Sequence, residues 1–226
     1  MSTLRPEKWL SDQIINVYFK ALVARNRASG AQPSVYAYDS FSFPALKTMT
    51  DKSLMRSLDR VDVFQYDILL FPIWEPGHFS FLFVDVASRT IVFCDSYYNE
   101  NNNCLDLIES YLMETGKKTW SKHTADVPKQ RNTFDCGVFV LLFAEHVARG
   151  VFPNFTQADV NDYCLRQSVI LDIVENNLSR STCTRKRVTD SKENLPGPCQ
   201  ITPNVRARGI LRPRKVLGEI QASAKA

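Results

Sequence analysis

The stretch Pro128-Lys129-Gln130-Arg131-Asn132-Thr133-Phe134-Asp135-Cys136-Gly137-Val138-Phe139-Val140-Leu141-Leu142-Phe143-Ala144 changes character at a single residue. Behind Cys136, Val138 to Ala144 would be apolar on every side of a helix, and such a helix must run through the middle of a protein or along a sheet. Ahead of Cys136 lies a polar loop that starts at Pro128. The cysteine therefore stands where the helix begins. A helix N-terminus carries about half a positive charge, which favours a thiolate over a thiol and makes the sulfur a better nucleophile. Gly137 beside it is expected to leave room for a substrate backbone.

A buried helix needs a sheet to lie on, and the residues before it supply one. Tyr66–Ile73, Phe79–Val86 and Thr90–Cys94 are rich in Val, Ile and Phe and read as three consecutive strands, with Ser88-Arg89 as the turn between the last two. Val35–Asp39 reads as a short strand after Pro33, and His123–Val127 as a further edge strand before Pro128. Asp12–Arg27 carries Ile14, Ile15, Tyr18, Phe19, Leu22 and Val23 on one stripe, an amphipathic helix capped by Ser11. A second such helix has Leu105, Ile108, Leu112 and Met113 and ends at Gly116, with Asn101-Asn102-Asn103 as the loop ahead of it. Ser53–Leu58 could form a brief helix, and Phe155–Leu178 closes the domain with Val160, Cys164, Leu165, Val169, Ile170, Ile173 and Val174 facing inward. Helices and strands mixed in this order predict an α+β fold with a mainly antiparallel or mixed central sheet flanked by helices.

Charge divides the chain. Residues 180–226 hold 11 Lys and Arg against 3 Asp and Glu, whereas residues 1–179 hold 17 against 21. The basic segment has four prolines, scattered aliphatics and no aromatic residue, too little to offset the entropy of ordering it. One folded domain over 1–179 and a mobile tail over 180–226 are expected. With 44% apolar residues the folded part can bury a real core, which excludes wholesale disorder. The longest apolar run, Val138–Ala144, is far short of the roughly 20 residues that cross a bilayer, and Met1–Leu10 lacks the apolar centre of a secretion signal. Cysteines 94, 104, 136, 164, 183 and 199 form no C-x-x-C pair, which fits reduced thiols in an intracellular protein of the nucleus or cytoplasm.

A nucleophilic cysteine needs an imidazole to hold the proton and a third group to orient that imidazole. His78 sits in a Gly77-His78 corner where a loop enters a strand, and Asp95 lies at the exit of the next strand. An antiparallel pair brings those ends to one edge of the sheet, although simple counting leaves them a few residues out of register. Gln130 can offer a side-chain N–H to an oxyanion hole together with the backbone N–H of Cys136. Cys94, Cys104 and Cys164 read as apolar filler, and His123 and His146 as residues without a chemical role.

These residues resemble the ubiquitin-like-protein-specific cysteine proteases, also called SUMO or sentrin proteases. The likeness spans about residues 8–178 and is carried by Trp9-Leu10-Ser11-Asp12, Asp39-Ser40-Phe41, Trp74…His78-Phe79, Asp95-Ser96 and Pro128-x-Gln130-x-Asn132-Thr133-Phe134-Asp135-Cys136-Gly137. The resemblance implies a papain-like fold, a His78-Asp95-Cys136 triad, Gln130 in the oxyanion hole, and no metal or cofactor. It also implies cleavage after the C-terminal Gly-Gly of SUMO or a related modifier, either from a conjugated lysine or from a precursor extension. Trp9, Asp12, Phe79 and Gly137 are the implied substrate contacts, Trp9 and Phe79 roofing a tunnel over the Gly-Gly. The family usually has Trp where Phe79 stands, Asn where Ser11 and Asp39 stand, and often Gln where Lys129 stands, so modifier choice stays open.

Two rival readings remain at this level: the same chemistry on ubiquitin or another ubiquitin-like protein, and a non-catalytic adaptor acting through its basic tail. In that tail Lys192-Glu193-Asn194 resembles a KEN box, and Arg214-Lys215-Val216-Leu217 opens a segment resembling a destruction box. Both are recognition elements of the anaphase-promoting ubiquitin ligase, which makes that ligase an expected partner beside the modifier. Arg185-Lys186-Arg187 offers instead a nuclear-import element. No membrane or nucleic-acid partner is expected.

Overall fold

The computed structural model describes residues 7–48, 62–97, 101–116 and 119–160. The tail from 180 onward with Lys192, Glu193, Asn194, Arg214 and Leu217, the expected helix at Ser53–Leu58, and the inward-facing positions after Val160 lie outside those residues.

Helix α1, Asp12–Ser29, starts where expected: the Ser11 hydroxyl accepts from the Ile14 N–H at 3.4 Å. Its last residue, Ser29, lies two beyond the expected end, and Gly30 caps it with a φ of 61°, the left-handed value that closes a helix. Strand β1, Val35–Ala37, is followed by α2, Ser42–Thr48. The sequence pattern missed α2 because it has only 7 residues and contains Pro44. That proline falls in the first turn, where its missing N–H costs nothing.

Strands β2 (Ile68–Glu75), β3 (His78–Asp85) and β4 (Thr90–Cys94) form the expected antiparallel meander. The first hairpin is tighter than predicted: Glu75 pairs with His78 across Pro76-Gly77, and Gly77 takes φ 81°, the value a type II turn requires at that position. Tyr66 and Asp67 fall outside β2. Asp67 instead accepts from the Ser34 N–H at 2.8 Å and the Ser34 hydroxyl at 2.7 Å, anchoring β1 alongside β2. Helix α3, Asn102–Gly116, begins inside the expected loop because Asn101 caps it, its side-chain oxygen accepting from the Cys104 N–H at 3.1 Å. Strand β5, Ser121–Thr124, precedes α4, Cys136–Ala148.

The strands lie in the order β1-β2-β3-β4-β5, with β1 parallel to β2 and β5 parallel to β4. The sheet is mixed and helices cover both faces. On one face Leu70, Phe81, Phe83 and Val92 pack beneath Ile15, Phe19, Phe139 and Phe143 of α1 and α4. On the other, Leu69, Phe71, Leu82, Val84 and Phe93 meet Phe43, Leu46, Ile108 and Leu112 of α2 and α3. Burial on two faces explains why β3 and β4 read as unbroken apolar runs rather than alternating ones. Among the described residues no helix is long and apolar enough to cross a membrane.

Glu145 couples α1 to α4. Its carboxylate accepts from the Tyr18 hydroxyl and from Arg25 at 2.9 Å each and from Arg149 at 2.5 Å. Burial works against the charge, but Arg25, Arg149 and the Tyr18 hydrogen bond outweigh it and hold the carboxyl below its ordinary value. Replacing Glu145 by Ala leaves Tyr18 and Arg25 without this partner and is expected to lower unfolding stability in urea by about 1–2 kcal/mol, most of it from the buried Tyr18 hydroxyl because Arg25 and Arg149 are solvent-screened. Because the folded value is depressed, that contribution is present above the ordinary value of 4.5 and disappears as pH falls through the folded value. Equal urea midpoints for the variant and the parent at pH 7 would contradict it.

Candidate active site

His78 is the first residue of β3, and Asp95 directly follows the last residue of β4. Phe81 pairs with Cys94, so continuing that register sets Asp95 opposite Ser80, two residues from His78 and on the same face. The offset left by counting is thus a diagonal that two side chains span. His78 Nε2 lies 2.9 Å from Asp95 Oδ1 and 3.0 Å from Oδ2. Asp95 is buried, and its Oδ1 also accepts from the Tyr97 N–H at 2.7 Å. A carboxylate out of water needs such donors.

Cys136 opens α4, whose apolar body runs along β3, and its sulfur reaches the imidazole from the other side. Burial opposes the charge on His78, but hydrogen bonds to Asp95 and then to Cys136 more than compensate and raise its pKa to about 9. With Nε2 committed to Asp95, the bond to Cys136 falls to Nδ1. Sulfur, imidazole and carboxylate therefore form one chain of contacts.

The loop before Cys136 is braced by side chains. Asn132 Oδ1 accepts from the N–H groups of Phe134 and Asp135, at 3.2 Å and 3.0 Å. The Asp135 carboxylate accepts from Asn132 Nδ2 at 2.6 Å and from Gln157 Nε2 at 3.2 Å, and it makes no cap on α4. Gln157 also accepts from the Arg131 N–H at 2.7 Å. Because Asp135 turns away, its carboxylate does not fill the N-terminus of α4, where the first N–H groups lack helical partners.

A cavity of about 490 Å³ opens beside these three residues, with His78 and Cys136 in its wall. Of the four residues named as substrate contacts, Trp9, Asp12 and Phe79 line it. Trp9 is 55% exposed and its indole N–H donates to the Thr133 carbonyl at 2.9 Å, holding the ring against the cysteine loop. Phe79 is nearly buried and belongs to the core as much as to the wall. Gly137 is not in that wall; a Cβ there would come to 3.0 Å from Leu10 Cβ, so its bareness admits the segment before α1. Gln130 is not part of the wall. Its backbone N–H donates to the Ser96 carbonyl at 2.8 Å, its Oε1 accepts from the Ser96 hydroxyl at 2.7 Å, and its Nε2 donates to the Asn132 carbonyl at 2.6 Å. Phe41, Pro44 and Trp74 also line the cavity. The exposure of Phe41 and Trp74, 60% and 42%, places large rings at its mouth that no apolar periodicity marks.

Residues 8–180 match the Ulp1 protease family, C-terminal catalytic domain. The chain belongs to that family. It is 31% identical over 188 residues to a sentrin-specific protease of Caenorhabditis elegans, covering 79% of this chain and 27% of the relative. It is 32% identical over 169 residues to human sentrin-specific protease 3, covering 71% of this chain and 29% of the relative. The chain thus spans under a third of the length of these curated relatives. The Ulp1 C-terminal protease domain, solved in complex with Smt3, the yeast ortholog of SUMO, shares the fold with a TM-score of 0.67 at 23% identity, over 78% of this chain and 81% of that one. The Ulp1-like SUMO protease catalytic domain of Chaetomium thermophilum does so with a TM-score of 0.65 at 24% identity, over 77% and 75%. The family's α+β papain-like architecture is the one described above.

Stability from the charged His78 imidazole is fully present below its ordinary value of 6.5 and is lost as pH rises through about 9. In Asp95→Asn the imidazole pKa, followed by NMR, is expected to fall toward 6.5, and the stability advantage of the parent, clear at pH 6, should shrink toward pH 9. An imidazole that still titrates near 9 in Asp95→Asn contradicts the pairing.

Proposed function

We propose that this chain is a cysteine peptidase that cleaves after the C-terminal Gly-Gly of SUMO or a closely related ubiquitin-like modifier, releasing it from lysine conjugates or from precursor extensions. The observation that carries the reading is the contact chain from Asp95 through His78 to Cys136 at the wall of a single cavity.

The mechanism follows from which groups can hold protons. An imidazole with a pKa near 9 is charged at neutral pH, so it stabilises a thiolate beside it and has a proton to give. The Cys136 sulfur attacks the carbonyl carbon of the terminal glycine, forming a C–S bond while the carbonyl electrons move to oxygen. Gln130 and the open N–H groups at the start of α4 stabilise that oxyanion. As the C–N bond breaks, His78 protonates the leaving amine, which leaves a thioester and a neutral imidazole. Water then adds to the thioester as His78 takes its proton, and the C–S bond breaks to return the thiolate and free the modifier's carboxylate.

The cavity favours a slender, extended substrate. Trp9, Phe41, Pro44 and Trp74 give it an apolar rim, and residues without side chains can lie closest to the sulfur. Membership of the Ulp1 family and the sentrin-specific names of its relatives support SUMO over ubiquitin. An adaptor without catalysis has no physical use for an imidazole held between a carboxylate and a thiol.

Cys136→Ser keeps the shape of the nucleophile and removes the thiolate. It is expected to reduce cleavage of a SUMO precursor at least 1,000-fold, on the order seen when an activated nucleophile is lost, while still retaining the modifier on a pull-down. Persistence of cleavage would sink the nucleophile assignment. The parent should also process SUMO precursors at least a hundredfold faster than ubiquitin fused to the same extension, since wrong contacts across an interface cost several kcal/mol. The reverse preference would move the reading to ubiquitin.

A further inference from the structure

We propose that Ser96 is a positioning residue for the oxyanion donor: its hydroxyl sets the orientation of the Gln130 carboxamide and so keeps one amide N–H free for the substrate oxygen. The proposal rests on the peptidase reading above and deepens it. A carboxamide presents an acceptor on one side and two donors on the other, and a half-turn about its last bond exchanges them. Nothing in Gln130 itself selects the useful orientation.

Two neighbours select it here. The Ser96 hydroxyl donates to Gln130 Oε1 at 2.7 Å, and Gln130 Nε2 donates to the Asn132 carbonyl at 2.6 Å. Turning the amide over would set Oε1 against the Asn132 carbonyl, two acceptors face to face. It would also replace the Ser96 donor bond. Of the two hydrogens on Nε2, Asn132 takes one, and the other is the one that would meet the substrate oxygen. Ser96 is 2% exposed, so its hydroxyl has no water to fall back on and depends on this partner.

The surrounding contacts make the arrangement stiff. The Gln130 N–H donates to the Ser96 carbonyl at 2.8 Å, and Lys129 Nζ donates to the Asp95 carbonyl at 2.8 Å. The strand exit that presents Asp95 to His78 therefore presents Ser96 to Gln130 in the next residue. Proton transfer and oxyanion stabilisation are registered to one another by two adjacent side chains.

Deleting the hydroxyl should release the orientation without removing the donor. Losing an oxyanion donor outright costs about 100- to 1,000-fold in kcat, so Ser96→Ala is expected to cost less, about tenfold, with KM unchanged. The test measures kcat and KM on a SUMO C-terminal fluorogenic amide for the parent, Ser96→Ala, Ser96→Thr, Gln130→Ala and the Ser96→Ala/Gln130→Ala pair. Alongside, it measures alkylation of Cys136 by iodoacetamide, a displacement that develops no oxyanion. The expected result is a tenfold loss of kcat in Ser96→Ala, recovery in Ser96→Thr, unchanged alkylation, and a double variant no slower than Gln130→Ala. Multiplying losses in the double variant, or alkylation falling in step with kcat as it would in a misfolded or merely weakened protein, overturns the proposal alone. A parent that is alkylated at Cys136 but does not turn over the SUMO amide brings down the peptidase reading and this proposal with it.

Discussion

The bond between His78 Nε2 and the Asp95 carboxylate, 2.9 Å long at the shielded end of the sheet, is the constraint on which the rest of the molecule depends. It requires β3 and β4 to pair in one register and no other, because a slip of one residue would send His78 or Asp95 to the opposite face. Continuous burial of Phe81, Leu82, Phe83 and Val84 against both helical layers prevents the slip. A core of that kind, in which truncating one buried phenylalanine costs about 3–5 kcal/mol, also serves as the jig that sets two polar groups at contact distance.

From that bond outward each feature of the site answers a need. The charged imidazole is held by hydrogen bonds, to the Asp95 carboxylate on one side and to Cys136 on the other. Asp135 places no side-chain cap over the helix start that carries the sulfur, its carboxylate accepting instead from Asn132 and Gln157. The loop that carries Gln130 needs a fixed relation to the strand exit, which Ser96 and Lys129 supply. Trp9, bonded to the Thr133 carbonyl, joins the segment before α1 to the same loop.

What could be read from the amino-acid order was whatever depends on near neighbours. The stripe of α1, its Ser11 cap, the three central strands and the start of α4 at Cys136 all follow from local periodicity and end signals. Short range also explains the misses. Helix α2 has too few residues to show a period, and the run Asn101-Asn102-Asn103 reads as loop although an Asn ahead of an apolar helix is itself a capping signal. His78, Asp95 and Cys136 were legible as a set only because a nucleophile demands partners and the chain contains three histidines. The distant bonds were hidden: Asp67 to Ser34, Ser96 to Gln130, Gln157 to Asp135, and the Leu10 contact that accounts for Gly137 join residues whose types alone do not announce each other. Ser96 did leave a trace, a small hydroxyl beside the candidate carboxylate.

On the proposed function, one sulfur, activated by one imidazole, meets the terminal glycine of the modifier. The decisive experiment incubates the full chain with SUMO whose terminal carbonyl is replaced by an electrophilic alkene and maps the adduct by peptide mass spectrometry. A single adduct on Cys136 is expected, formed quickly by the parent and at least a hundredfold more slowly by His78→Ala, within the range that a general base contributes. An adduct on Cys94, Cys104 or a tail cysteine, or labelling of Cys136 that does not depend on His78, would contradict it.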